Sequence, residues 1–373
     1  MSNTMLYQFN INASEWKLAH ELLASQNEGI QFKSLPSTQL FNLSLFSDPA
    51  PVLNHDFLKV NGKLIALAPE KEGRIGKGSH GIVRIGIDEL GNRYAIKVEH
   101  ITRLSLTKEF EILGDLNLAY GRLISIANSR IYTVMPYLGR PLHKLLKKNE
   151  LDFQERLRIS IKLCLIVASL HQGLASKSKT AYAHLDIKPE NVVIDEQNDP
   201  HLIDFGYAET NPNDTNKAIC GTAPMLPNEK NIKKVPKRYL DSLALKRTLY
   251  IPDMFNCIWG LSRREDEDTA LLSTKELELM GLKAIFNTGV DDETNKQDYC
   301  ARYTSAISMA AMLAIAYLNL GIDYQTVDFD NCITSGQKIP AQETIKSVLK
   351  EFFDSEKNRK ETIVSPPVLS KAC

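Results

Sequence analysis

The stretch HLDIKPENVVID, residues 184–195, sets a carboxylate at Asp186, an ammonium at Lys188 and an amide at Asn191 ahead of a short β-branched run. Asp186 can accept or orient a hydroxyl proton, Lys188 can neutralise charge on a moving phosphoryl group, and Asn191 can offer its amide oxygen to a metal. The run VVID supplies a strand to fix them. Further on, LIDFGYAE places Asp204 behind two apolar residues and ahead of Phe205 and Gly206, a carboxylate at a strand end where a turn begins. With Asn191 it makes a hard, all-oxygen pair suited to Mg2+ carrying phosphates. Ordinary hairpin turns also use Asp and Asn, so these stretches alone leave a bland reading open.

Two upstream stretches add to them. GKGSHGIV puts Gly76, Gly78 and Gly81 between two strands, where backbone N–H groups can approach a polyphosphate and Val83 can cover a flat ring. A glycine-rich hairpin with no ligand would look the same. A dinucleotide turn would need a helix straight after the glycines, and a strand follows instead. In AIK, Lys97 stands in the middle of an apolar strand, where an ammonium is costly without a partner. The next helix offers Glu109 and Glu111. Glu109, four residues before Leu113 on the side shared with the apolar face, is the chosen partner, and Glu111 is expected to face water. A lysine reaching out to solvent is the alternative.

The elements that must hold these groups follow from the patterning. SEWKLAHELLAS reads as a helix with Ser14 as N-cap, within an expected N-terminal extension over 1–55. FLKV-NG-KLIALA is a hairpin through Asn61 and Gly62, and GIVRIGID with RYAIKVE forms a second pair of strands. LTKEFEILGDLNLAYG reads as one amphipathic helix, followed by strands RLISIA and RIYTVMPYL. After residue 138 the chain turns mostly helical. The window AISMAAMLAIAYLNLG, 306–321, is shorter than the roughly 20 residues a bilayer crossing needs and reads as a buried helix.

The 373 residues suit a bilobal unit or two domains, and 43% apolar residues can fill such a core. Forty-five basic against forty-five acidic residues give no net field toward nucleic acid or an anionic membrane. Six scattered cysteines form no close pair of metal-binding or redox type, which implies a reduced, cytoplasmic setting. The opening MSNTMLYQFN lacks a secretory pattern, and Cys373 is not placed in a prenylation box.

Taken in order and spacing, the glycine loop, strand lysine, HLDIKPEN loop and DFG of residues 57–250 resemble a eukaryotic-type protein kinase of the serine/threonine class. That resemblance implies an α+β bilobal fold. The β-rich N-lobe would span 56–138 and the helical C-lobe core 139–260, followed by a divergent helical part at 261–355 and a flexible tail at 356–373. It implies ATP with Mg2+, or Mn2+ in its place, and a protein substrate. Lys97 would contact the α- and β-phosphates and pair with Glu109, Asp186 would be the catalytic base, Lys188 would steady the γ-phosphate, and Asn191 and Asp204 would hold the metals. Gly76, Gly78, Ser79 and Gly81 would cover the phosphates. Met135 falls at the gatekeeper, Pro136 to Leu138 form the hinge, and Val83, Ala95 and Val193 would sandwich the adenine.

Departures matter too. The arginine that usually precedes the base is Leu185, which removes one cation from the phosphate-answering switch and implies activity without activation-loop phosphorylation. In GTAPMLPNE, Asn228 replaces a proline while Glu229 and Thr222 are kept. Asp241 in DSLALKRTLY is preferred over Asp253 as the anchor of the catalytic loop. The unmatched helices after residue 262 resemble those of kinases that intracellular bacteria deliver into host cells, which would place the protein in host cytoplasm beside an activating partner. Two rivals come from other classes. A pseudokinase scaffold would lack one of Lys97, Asp186, Asn191 or Asp204, and a small-molecule kinase would lack the three-glycine loop and the GT…E segment.

Overall fold

The computed structural model describes residues 7–33, 53–78, 81–101, 108–215, 221–222, 225–226, 236–249, 258, 310, 313–314 and 342–364. The chain divides into two compact units, Met1–Leu138 and Gly139–Cys373.

In the first unit, antiparallel strands β1 (Gly29–Gln31), β2 (Asp56–Val60), β3 (Lys63–Leu67), β5 (Gly81–Asp88), β6 (Arg93–His100), β8 (Arg130–Pro136) and β7 (Gly121–Ser125) lie in that order, with β4 (Arg74–Lys77) on β5. Asn61 and Gly62, at φ 49° and 76°, supply the two left-handed residues that a tight β2–β3 hairpin demands. The sheet curls until β7 touches β1 and β2. Gly121 permits this approach, since a Cβ there would lie 2.3 Å from a Val60 methyl. Alternate residues point inward, and Leu58, Val60, Ile65, Leu67, Ile96, Val98, Tyr132 and Val134 make the enclosed core.

The expected N-terminal extension is built into this unit. Helix α1 (Ala13–Leu22) covers the outer face of the sheet with Leu18 and Ala19 against Phe57, Leu64 and Ala66, and β1 adds a strand. Its N-cap is Asn12, whose side chain accepts the Glu15 N–H at 2.8 Å, and not Ser14. Glu15 is buried and receives the N–H groups of Asn54 and His55, tying the helix to the start of β2. The second expected helix is also shorter than its pattern. After the single turn α2 (Glu70–Gly73), α3 runs only from Lys108 to Asp115. Asn117 turns left-handed at φ 59°, and Tyr120 has already joined the sheet through Val134 O at 2.8 Å.

The second unit is built on α5 (Phe153–His171), whose start carries a reciprocal capping box between Asp152 and Glu155, with α4 (Leu142–Lys147) before it and α6 (Lys237–Leu249) beside it. Three short strands, β9 (Arg140–Pro141), β11 (Val192–Ile194) and β12 (Pro200–Leu202), make one ribbon, and β10 (Tyr182–Ala183) pairs with β13 (Glu209–Thr210). Of the apolar window 306–321, only Ala310, Leu313 and Ala314 are described, and all three are helical and buried. Among the described residues no helix is long and apolar enough to cross a membrane. The expected helices at 274–286 and 295–321 otherwise lie outside the described residues, as do Asn228, Glu229 and Asp253.

The flexible tail expected from 356 is corrected by helix α7, which runs unbroken from Gln342 to Val364. A charge cluster holds it. Arg158, 2% exposed, bonds Asp199 at 2.8 Å and reaches Glu356 at 3.5 Å, Lys162 joins Asp199 at 2.5 Å and Glu356 at 2.6 Å, and Lys360 adds Asp199 at 3.2 Å. Burial opposes ionisation of Asp199, but the hydrogen bond and charge of Lys162, then the bonds of Arg158 and Lys360, outweigh it and bring its pKa from 3.8 down to about 2. A depressed carboxylate stabilises the fold above its unfolded pKa and loses that contribution as pH falls. Urea unfolding should therefore show Asp199→Asn about 2 kcal/mol less stable than wild type near neutrality, with the gap closing as pH drops from about 4 to about 2. A gap independent of pH would contradict this.

Candidate active site

In the first unit, pairing sets the chemistry on one face. Val83 lies opposite Lys97, and Ala95 opposite Met135, so all four point away from the enclosed core and remain half-buried. Lys97 meets Glu109 of α3 at 2.7 and 3.0 Å. The lone lysine of the apolar strand thus has its acid, and the acid comes from the first turn of the short helix. A second carboxylate that sequence spacing did not single out, Glu99, stands 3.3 Å from the same ammonium and is itself buried. It follows Lys97 by two residues on the same strand, so strand alternation was the signal available. Gly76 and Gly81 lie on β4 and β5, the Gly78 N–H closes the turn on Gly81 O at 2.9 Å, and Ser79 lies outside the described residues. Met135 and Pro136 end β8, and Leu138 closes the unit.

In the second unit the loop between β10 and β11 is held from below by Asp241 of α6, which is fully buried. Its two oxygens accept the N–H groups of His184 and Leu185 at 2.7 Å each, and His171 Nε2 adds a contact at 2.9 Å. Leu185 takes a left-handed φ of 63° and turns its side chain into an apolar cluster with Ala183 and Leu240, packed by Leu226 and Tyr239. His184 is enclosed, and burial pushes its pKa down despite the neighbouring Asp241. The neutral ring donates from Nε2 to Ile203 O at 3.1 Å, accepts the Asp186 N–H at 3.3 Å and packs on Phe205 with centroids 4.7 Å apart.

This scaffold presents the Asp186 carboxylate to three groups. Lys188 Nζ donates to Oδ2 at 2.7 Å, Thr222 Oγ donates to Oδ1 at 2.7 Å, and Asn191 Nδ2 donates to Oδ2 at 2.9 Å. Lys188 also donates to Thr222 Oγ at 2.7 Å, closing a triangle. Asn191 spends its other N–H on the Asp186 carbonyl at 2.9 Å, which leaves its amide oxygen as the atom for a cation. Asp204 follows β12 with φ 63°, one residue after Ile203, whose N–H bonds Asn191 O at 3.0 Å. Val193, on β11, is buried opposite His201. The chemistry of this donor set fits a hard cation. Among the described residues no group of three or more His, Cys, Asp or Glu could hold a metal alone, so phosphate oxygens would complete a site on Asn191 and Asp204. The direct contact of Thr222 with the carboxylate went unnoticed in the sequence because it closes a long loop with no periodic signal.

Two constellations of this kind, an ion-paired strand lysine in the first unit and a carboxylate cradled by lysine, threonine and asparagine in the second, accord with the family comparison. Residues 70–244 match the model described as protein kinase domain. It is 28% identical over 168 residues to Aurora kinase B of Mus musculus, covering 42% of this chain and 47% of that protein. It is likewise 28% identical over 240 residues to serine/threonine-protein kinase Sgk1-A of Xenopus laevis, with 60% and 50% covered. The leucine-rich repeat receptor-like protein kinase PEPR2 of Arabidopsis thaliana shares 28% over 230 residues, 52% of this chain and 20% of that protein. The chain thus spans about half the length, or less, of the curated relatives it matches.

Proposed function

We propose that the protein transfers the γ-phosphoryl group of ATP to serine or threonine of a protein substrate. The observation that carries this reading is the Asp186–Lys188–Thr222 triangle, a carboxylate whose second oxygen is already neutralised by an ammonium. Asp186 accepts the substrate hydroxyl proton. Lys188, released from its pairing, steadies the γ-phosphate, and Lys97, oriented by Glu109, holds the α- and β-phosphates. Asn191 and Asp204 would hold Mg2+, which neutralises phosphate charge when bound. Val83, Ala95 and Met135 offer an apolar face for the adenine, and the same reading gives Val193 an adenine-contacting role. Retention of every ionic group favours transfer over a scaffold role. Mass spectrometry of the modified product separates the options, since a gain of phosphate supports the reading and a gain of nucleotide would overturn it.

The cation that answers an activating phosphate is replaced by Leu185, which is 3% exposed inside an apolar cluster. Activity is therefore independent of activation-loop phosphorylation in this reading. Thr222 must be kept in any test, because its hydroxyl touches Asp186. The combined change Tyr207→Phe, Thr210→Val and Thr215→Val should hold turnover within about twofold of wild type. A loss of an order of magnitude in a steady-state assay would point to a phosphate switch after all.

A further inference from the structure

Opposite the Lys97 face, the curled sheet of the first unit leaves one end uncovered by the described residues. A cavity of about 630 Å³ lies there, lined by the end of β1, the start of β2, the end of β3, Lys77, Gly78 and Gly81 beside β4 and β5, the end of β6 and the start of β8. Val98 and Tyr132, both from the enclosed core, form its apolar floor. Mouths of curled sheets of this size hold compact organic ligands.

Its charges are unusual for a chain with no net charge. Four cations line it, Lys33, Lys77, Arg84 and Arg130, against two carboxylates, Asp56 and Glu70. Arg84 is only 8% exposed and points inward from β5. Its Nε and Nη2 bond Ala68 O at 3.0 and 2.6 Å, and Nη2 bonds Asp56 at 3.0 Å, so Asp56 is already neutralised while Nη1 has no partner among the described residues. Lys33, Lys77 and Arg130 likewise form no side-chain ion pair among the described residues. An arginine fixed in place with a spare donor, in one cavity with Lys33, Lys77 and Arg130 and an apolar floor, is a receptor for phosphate on a small carbon framework.

We infer that this end of the curled sheet is a second binding site, on the face opposite Lys97 and bordered by Gly78 and Gly81 of the glycine loop, for a small soluble organic anion bearing several phosphates. The test is calorimetric titration of the full chain with inositol hexakisphosphate, with inorganic pyrophosphate as a minimal anion and uncharged inositol as control. One-to-one binding of the hexakisphosphate is expected, weakened at least about tenfold by the paired changes Lys33→Glu, at an exposed residue, and Arg130→Glu, at a half-buried one on the rim. Arg84→Met should abolish it if that variant folds, and the rim pair keeps the test valid if it does not. Lys97→Met, on the opposite face, should bind as wild type does, so failure of the kinase reading would leave this result intact. Absence of binding by either phosphate probe at millimolar concentration, or binding unchanged in the rim pair, would overturn the proposal. So would capture of phosphatidylinositol bisphosphate vesicles without binding of the soluble probe, which would assign the cations to a membrane surface.

Discussion

Asp186→Ala should lower phosphoryl transfer by about 10²–10⁴-fold while the protein stays folded. The carboxylate is 4% exposed, and its oxygens take donors from Lys188, Thr222 and Asn191. In the proposed reading its removal deletes the acceptor of the substrate hydroxyl proton and leaves Lys188 with Thr222 as its hydrogen-bond partner. Asp186→Asn should cost nearly as much, because the amide keeps the shape and loses the basicity. Steady-state turnover beside a thermal melt is the check. An unchanged rate in a folded Asp186→Ala protein would show that the loop is a turn with no chemistry.

Asp241→Ala carries the second largest expected effect, and it acts on stability. Two amide N–H groups at the apex of the loop point at this one enclosed carboxylate, each at 2.7 Å. An unpaired buried donor costs about 1–3 kcal/mol, so the pair together should cost about 3–5 kcal/mol and lower the melting temperature on the order of 10 °C. His184 and Leu185 would lose their fixed backbone, and with them the position of Asp186, so turnover should fall even below the melting range. A variant within about 0.5 kcal/mol of wild type would mean that water or another group replaces the carboxylate at no cost.

The sequence made the ionic groups legible because each breaks a local rule. Lys97 interrupts an apolar strand, and cost alone demanded a nearby acid; Glu109 meets it at 2.7 Å. Asn61 and Gly62 announced a hairpin through conformations few residues tolerate. Boundaries were harder, since they depend on contacts distant in the chain. The apolar spacing through Tyr120 looked helical, but Tyr120 packs on Tyr94 at 5.9 Å and follows the sheet instead. Ser14 and Asn12 are both good caps, and the choice falls to Asn12, whose side chain reaches the Glu15 N–H. The second half of the last helix, from 356, read as a tail, whereas Glu356 is buried against Arg158 and Lys162. Nothing local signalled that an arginine near the start of α5 would need a carboxylate from that helix.

The central claim, that Lys97 and Asp186 serve one reaction, is tested most directly by incubating wild type, Lys97→Met and Asp186→Ala with terminally labelled ATP, magnesium and a generic protein substrate. Label should appear on serine or threonine with wild type and fall by at least about two decades in each variant. Equal labelling by all three folded proteins would contradict the account.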